Sequence, residues 1–376
     1  MKKKISILLT IILLSMSVLS GCTQSGNNQD HKENLTEASN TNTLEITDMA
    51  GRDISLEGPI DKVVVIGSAL RLYTYINGTE KLAGVEKKQQ SPETGRPYII
   101  ANPELENLPI VGEGFPANPD PELLIEADPD VIIAGDILDV AEIEELQKKI
   151  GIPIVVVSRG DSTVFDEDMY KSLEIIGKIV EKEDRAEELI DFMEDCKAEL
   201  TDLTKDIPED EKPSIYVGGL SYKGNHGIES TEGDSPILNT IGAKNVADEI
   251  GKSNSIMIDK EQLVKWDPDI LVIDENGLAL VKEDYKKNPE YYKELAAVKN
   301  GQVYAQLPCT SYHKNIETAI ANIYFLGKVL YPEEFKDINV IEKTDEIYTF
   351  MLGEPLYDIM AEKFGGYIEI DLEDGF

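Results

Sequence analysis

From residue 44 the chain alternates between short apolar runs and longer stretches whose apolar residues recur every three or four positions. Residues 44–57 (LEITDMAGRDISLE) alternate apolar and polar side chains on either side of Ala50-Gly51, the pattern of a hairpin. Lys62–Gly67 (KVVVIG) reads as a buried strand ending in glycine, followed by a helical stretch over about 68–77. Further apolar runs at 131–134 (VIIA) and 152–157 (IPIVVV) flank a helical pattern at 139–150. Strands alternating with helices predict a mostly parallel α/β sheet.

From about 166 to 206 the pattern is helical throughout. Met169, Leu173, Ile176 and Val180 form one stripe; Leu189, Met193, Cys196, Leu200 and Leu203 form a second, with a break at Lys182-Glu183-Asp184. The second helix, over about 184–205, spans ~33 Å. Beyond Pro208 and Pro213 the alternation restarts, with strands at 214–218, 270–273 and 301–305 and helices near 234–241, 260–265 and 315–330. A tail over 333–376 is helical at about 343–362 and ends acidic.

An internal repeat ties the halves together. Glu122-Leu-Leu-Ile-Glu-Ala-Asp-Pro-Asp130 leads into VIIAG, and Glu261-Gln-Leu-Val-Lys-Trp-Asp-Pro-Asp269 leads into ILVID. Proline disfavours helix in the residue before it, so each Asp-Pro-Asp stops a helix ahead of a hydrophobic strand. The repeat points to two lobes of like topology joined by the long helix, the alternative being that Asp-Pro-Asp is a common helix-to-strand joint. Residues 44–165 form the first lobe, 166–206 the helices between and 207–376 the second.

The first 43 residues have another character. Lys2-Lys3-Lys4, an apolar run from Ile5 to about Leu19, and Leu19-Ser20-Gly21-Cys22 form a secretory signal whose last four residues match a bacterial lipobox. Cleavage after Gly21 would leave a diacylglycerol thioether, with palmitate-type acyl chains, on Cys22, a stable two-chain anchor. Residues 1–21 are thus a signal peptide and 22–43 a polar tether that includes a solvated His31. No later segment has the ~20 apolar residues of a membrane span. The expected location is the extracytoplasmic face of the cell membrane, whether the cell has one membrane or two.

Composition narrows the partners. Of 376 residues, 72 are acidic and 36 basic, a formal charge of −36. That balance argues against nucleic acid, whose phosphates need clustered Lys and Arg. Cys196 lies on a helical apolar stripe and Cys309 is distant in sequence, so neither is assigned to a disulfide. Trp266, beside the second Asp-Pro-Asp, reads as core.

The lipobox, the two α/β lobes and the single long joining helix together resemble the substrate-binding lipoproteins of iron-siderophore, haem and cobalamin ABC importers. Ile46-Thr-Asp-Met-Ala-Gly-Arg52, Lys62-Val-Val-Val-Ile-Gly67, Leu123-Leu-Ile-Glu-Ala-Asp-Pro-Asp-Val-Ile-Ile133 and Ala296-Ala-Val-Lys-Asn-Gly-Gln-Val-Tyr304 are similar, in order, to that family's segments. The resemblance implies two Rossmann-like lobes of the class III periplasmic binding protein type, closing only slightly on ligand. It implies delivery to a permease with separate ATPase subunits, a monomeric receptor and no intrinsic cofactor. It also places Glu122 and Glu261 opposite permease arginines, the alternative being a helix-dipole role for each.

In an α/β lobe the ligand lies beyond the carboxyl ends of the strands. On the first lobe this selects Gly67–Arg71, Gly112–Phe115, Gly135–Leu138 and Ser158–Asp161; on the second, Gly218–Glu229, Asp274–Leu278 and Leu307–Asn315. Two rim loops, 220–231 and 310–315, each hold one Tyr and one His: Tyr222 with His226, and Tyr312 with His313. Imidazole, phenolate and carboxylate suit transition metals, so His226, His313 and Glu229 form a candidate metal set, and the two tyrosines candidate ligand contacts. Two histidines without HxH or HExxH spacing are not a motif, and each could instead bond a loop carbonyl. Arg71, Arg96 and Arg159 suit an anionic chelate such as a siderophore, or pairing with one of the many acids; Tyr98 and Phe115 suit apolar walls or plain packing.

The expected ligand is an iron complex or another transition-metal species. Haem or a corrinoid is the alternative within the class; haem would want an axial His, Tyr or Met. A surface adhesion or scaffold protein on the same fold is a further alternative. The chain carries no G-x-S-x-G elbow, zinc signature, dinucleotide fingerprint or P-loop, and it reads as a receptor and not an enzyme.

Overall fold

The computed structural model describes residues 43–91, 95–114, 119–135, 139–160, 164–251 and 255–372. The signal peptide, the tether with Cys22 and His31, and the rim residues Phe115, Leu138 and Asp161 lie outside the described residues.

The first hairpin pairs Thr43–Thr47 with Asp53–Glu57. Its turn is organised by Asp48, whose carboxylate accepts from Ala50 N (2.9 Å), Arg52 N (3.0 Å) and the Arg52 guanidinium. The same carboxylate accepts from Val156 N at 3.1 Å, and Arg52 donates to Ile154 O at 2.7 Å. The hairpin turn thereby docks on the outer strand of the first sheet and protects an edge.

That sheet has four parallel strands in the order Leu82–Val85, Val63–Ile66, Val131–Ala134, Ile154–Val156. Leu82–Val85 is a short strand that the apolar pattern did not single out. The second sheet runs Ile368–Glu369, Val303–Gln306, Ile270–Asp274, Ser214–Gly218, Lys244–Asn245, parallel except for its first strand. A small antiparallel pair, Ser230–Glu232 with Ser255–Met257, lies beside it. The continuous apolar runs arise because both faces of each sheet are covered. Val63 and Val65 face one core cluster while Val64 and Ile66 face another; Ile215 and Val217 share the first of these, and Tyr216 belongs to a third.

The sequence repeat is a repeat of backbone geometry. Helix Pro121–Ala127 ends at Asp128 with φ 49°, and helix Lys260–Trp266 ends at Asp267 with φ 45°, both left-handed. The last aspartate of each Asp-Pro-Asp then fastens the start of the neighbouring strand. Asp130 Oδ2 accepts from Asp61 N and Lys62 N, each at 2.8 Å. Asp269 Oδ2 accepts from Ser214 N at 2.8 Å and Ser214 Oγ at 2.6 Å. These bonds from Ser214 hold the Asp269 carboxyl below its ordinary pKa. Asp130→Ala and Asp269→Ala are each expected to lower stability by about 1 kcal/mol, and the double variant by their sum, because the sites share no partners. Urea midpoints of the three proteins check this.

Helix Glu167–Val180 ends at Glu181 in the left-handed region, and the chain then crosses between the sheets on Glu183–Thr204, a 22-residue helix. Its buried stripe is Ala186, Leu189, Met193, Cys196, Leu200 and Thr204; Leu203 is only partly covered. The tail is two helices, Val340–Leu352 and Tyr357–Phe364, followed by the antiparallel strand Ile368–Glu369. Val340–Leu352 packs against the first-lobe helices Ala69–Tyr75 and Pro97–Ile100. Phe350 stacks on Phe192 of the crossing helix with centroids 4.0 Å apart. Arg185 closes the bundle by donating to Tyr75 O at 3.1 Å and to Phe350 O. Cys196 and Cys309 are buried free thiols. Trp266 is half-buried, tilted against Tyr216, and its Nε1 donates to Glu249 at 2.8 Å.

Candidate functional site

Glycines let the rim loops come close to the strand ends. A Cβ on Gly135 would sit 2.7 Å from Ala69 N, so the first-lobe loops abut there only without a side chain. On the second lobe, Gly277 lies in the first turn of helix Glu275–Lys287. A Cβ there would fall 2.4 Å from His226 O and 2.5 Å from Gly219 Cα, all of it backbone that cannot rotate aside. Gly277→Ala is therefore expected to displace the 219–226 loop and cost about 2–3 kcal/mol of stability. A thermal melt together with hydrogen exchange localised to that loop checks both parts.

The centre of the site is the turn Thr310–Lys314. Thr310 and Lys314 pair across it, and Ser311 N donates to His313 O at 3.0 Å. Tyr312 (φ 52°) and His313 (φ 74°) are successive left-handed residues, an arrangement that costs roughly 1–2 kcal/mol per residue. First-lobe side chains hold it. Arg71 donates to Tyr312 O (2.7 Å), Ser311 O (3.4 Å) and Asn315 Oδ1 (3.2 Å). Arg159 Nη1 lies 2.9 Å from His313 Nδ1; a guanidinium has no acceptor, so Nδ1 accepts. Tyr312 Oη donates to Glu86 at 3.2 Å, and Asn315 Nδ2 to Gly95 O at 3.2 Å. Beneath them Tyr75 donates to the buried Glu317. Burial raises the Glu317 carboxyl pKa, and the nearby Arg71 charge opposes that rise.

Two cavities flank the turn. One, of about 490 Å³, lies between the lobes and is lined among others by Arg71, Arg159, Tyr222, Glu232, His313 and Lys314. The other, of about 640 Å³, is bounded by Lys88, Tyr222, Lys223, Asn276, Tyr312 and Phe364. Tyr222, Thr310 and His313 face both. In a chain of charge −36 the first cavity gathers three basic side chains against one carboxylate.

The structure brings Arg71, Arg159, Tyr222 and His313 to one cavity, with Tyr312 on the neighbouring one. The other sequence candidates have different surroundings. Arg96 is buried and donates to Gln89 Oε1 (3.0 Å), Lys88 O (2.6 Å) and Ser91 O (3.3 Å), and its guanidinium lies against the Tyr312 ring. Tyr98 is buried behind Arg71, which stacks on its ring. His226 Nε2 lies 2.7 Å from Tyr222 O within its own loop, and Glu229 accepts from Gly227 N at 3.2 Å. Among the described residues no group of three or more His, Cys, Asp or Glu side chains is placed to hold a metal ion. His226, His313 and Glu229 accordingly do not form one shared metal cage. Lys314 and Glu232 were not singled out from the sequence. Lys314 adjoins His313 in the rim segment, but nothing in the pattern tells its inward direction from that of a solvated lysine.

Below the second-lobe rim lie two adjacent buried carboxyls. Burial pushes Asp274 up to about 7 and Glu275 up to about 8, the latter helped by the neighbouring Asp274 charge.

Two α/β lobes crossed by one long helix, with a polar cleft at the strand ends, define a class III periplasmic binding protein. Residues 68–306 match the periplasmic binding protein family, and the chain belongs to it. It is similar to an uncharacterized ABC transporter substrate-binding lipoprotein of Bacillus subtilis, YvrC, with 25% identity over 342 residues covering 90% of this chain and all of that one. The Fe(3+)-citrate-binding protein YfmC of the same organism is 27% identical over 301 residues, covering 80% of this chain and 89% of its own. The molybdate-binding protein MolA of Haemophilus influenzae is 22% identical over 323 residues, covering 81% and 89%. Its structure with molybdate superposes with a TM-score of 0.64 at 20% identity, over 83% of this chain and 98% of that one.

Proposed function

We propose that the protein is the substrate-binding lipoprotein of an ABC importer and that it captures a transition metal as an anionic complex, of the ferric-chelate type. The observation that carries this is the convergence of Arg71, Arg159 and His313 on a cavity of about 490 Å³ in a strongly acidic chain. Guanidinium forks match carboxylate and other anionic oxygens, and they act strongly where water is partly excluded. A ferric chelate brings its own inner ligands, so the cleft needs no metal cage. Tyr222 and Tyr312 supply aromatic faces, and His313 a polar contact. The names of YfmC and MolA support a metal-containing anion, and that of YvrC supports a lipid anchor at Cys22 and an extracytoplasmic site of action. Among the described residues no helix is long and apolar enough to cross a membrane.

The test is isothermal titration of the chain lacking residues 1–22 with ferric citrate, ferric siderophores, molybdate, free Ni and Fe, haem and cobalamin. Saturable binding of an anionic complex supports the reading. Binding of haem or cobalamin alone would transfer the cleft to those ligands, and binding of a bare divalent ion alone would sink the anion assignment.

Docking on the permease is assigned to Glu122 and Glu261. Both are exposed, and both stand in the first turn of the helix that opens the repeat in their own lobe. Charge reversal of both is expected to reduce uptake by at least about tenfold while leaving ligand affinity in solution unchanged. Uptake of labelled complex by cells carrying the variant checks this.

A further inference from the structure

The wall of the inter-lobe cavity opposite the two arginines is built from the second lobe, and it carries a cation of its own. Lys314 follows the strained Tyr312-His313 pair, and its side chain is 14% exposed. Its Nζ is buried and makes no hydrogen bond. The nearest carboxylate oxygen, Glu232 Oε2, is 3.6 Å away, too far for one. Glu232 is drawn off by Ser235, whose hydroxyl donates to the same oxygen at 2.9 Å. An ammonium offers three N–H donors, and a buried one left unfilled is costly. Lys314 and Glu232 both line the 490 Å³ cavity and the smaller void of about 40 Å³ behind it. A buried ion pair this loose contributes little to stability for the desolvation it requires.

Resting on the anionic-complex reading above, we infer that Lys314 is a ligand contact and that the Lys314–Glu232 pair selects ligands by charge. The cleft then takes complexes with at least two anionic oxygen groups, one for Arg71 and Arg159 on the first lobe and one for Lys314 on the second. Glu232 is the resident counter-ion. A complex with a single anionic group satisfies the arginines but leaves Lys314 with Glu232, whereas a multiply charged one fills the open ammonium donors. Glu232 repels either, so only the ligand that reaches Lys314 offsets the repulsion.

The experiment titrates ferric citrate and molybdate, as named probes, into the wild type, Lys314→Met, Lys314→Arg and Glu232→Gln over a range of salt concentrations. Lys314→Met is expected to weaken ferric citrate binding about 30-fold or more and to flatten its salt dependence. Lys314→Arg should restore affinity to within about threefold, and Glu232→Gln should tighten it severalfold. If the wild type binds ferric citrate or molybdate and Lys314→Met binds the same probe equally well, Lys314 merely neutralises Glu232 and the inference is wrong. Should Lys314→Met fail to fold, the double variant Lys314→Met/Glu232→Gln removes both charges at once; wild-type affinity in that protein would overturn the inference equally. If the wild type binds neither probe but takes up a neutral or cationic chelate, the anionic-complex reading fails and carries this inference down with it.

Discussion

Arg71→Ala is expected to abolish measurable capture of an anionic ligand and to lower stability by roughly 3 kcal/mol. Arg71 is buried, so the loss is more than that of a surface charge. Its guanidinium spans the lobes, donating to Tyr312 O, Ser311 O and Asn315 Oδ1. Truncation takes the Arg71 donors away from those acceptors and removes the positive charge that counters burial of Glu317. Glu317 should then resist ionisation further, and the variant should lose more stability at alkaline than at acid pH. Arg159→Ala, by contrast, should lose affinity with a smaller fall in stability, since Arg159 meets the second-lobe turn through the His313 ring and not through its backbone carbonyls. Titration and urea unfolding of both variants check the pair. Equal affinity losses with unchanged stability in both would refute the latch role given to Arg71.

The second large effect is a fall in stability as pH rises from about 4 to about 8. Asp274 and Glu275 are buried carboxyls with folded pKa values near 7 and 8, above those of unfolded chains. Between the unfolded and folded values the native state holds more protons, so stability declines as pH climbs through the window and levels off above it. Each unit of separation corresponds to about 1.4 kcal/mol, and a separation of about three units at each carboxyl puts the decline at several kcal/mol for the coupled pair. Glu317 adds to it with the same sign. Asp274→Asn/Glu275→Gln should flatten the profile and be the more stable protein at pH 8. Urea unfolding between pH 5 and 9 checks the slope, and a wild-type profile that rises across this window would refute the assignment.

The elements that were legible in the sequence are those that bury both faces or recur. VVVI and ILVID read as strands because each lies between two apolar layers, and the Asp-Pro-Asp repeat disclosed two similar lobes because proline and aspartate act locally. The stripe of Leu189, Met193, Cys196 and Leu200 likewise marked the crossing helix. Leu82–Val85 was missed because four residues containing Ala and Gly carry no period. The tail's helical period was visible, but an amphipathic stripe tells that a face is covered and not by what. Its contact with Phe192 and Arg185 depends on residues more than a hundred positions away. At the site, residue type proposed His226 and His313 equally. The backbone separated them, turning one onto Tyr222 O and the other toward Arg159. The inward direction of Lys314 follows from two left-handed residues before it, which no local rule anticipates for Tyr-His.

The crossing helix carries Phe192, stacked on Phe350, and Arg185, bonded to Tyr75 O and Phe350 O, so only a small movement of the lobes on binding is expected. Occupancy would then be announced by quieting of side chains and not by a change of outline. A scattering profile would look alike with and without cargo, while order parameters around Thr310–Lys314 would rise. A permease that must tell a loaded receptor from an empty one would therefore read the stillness of a rim, and empty receptors would compete for the same docking site.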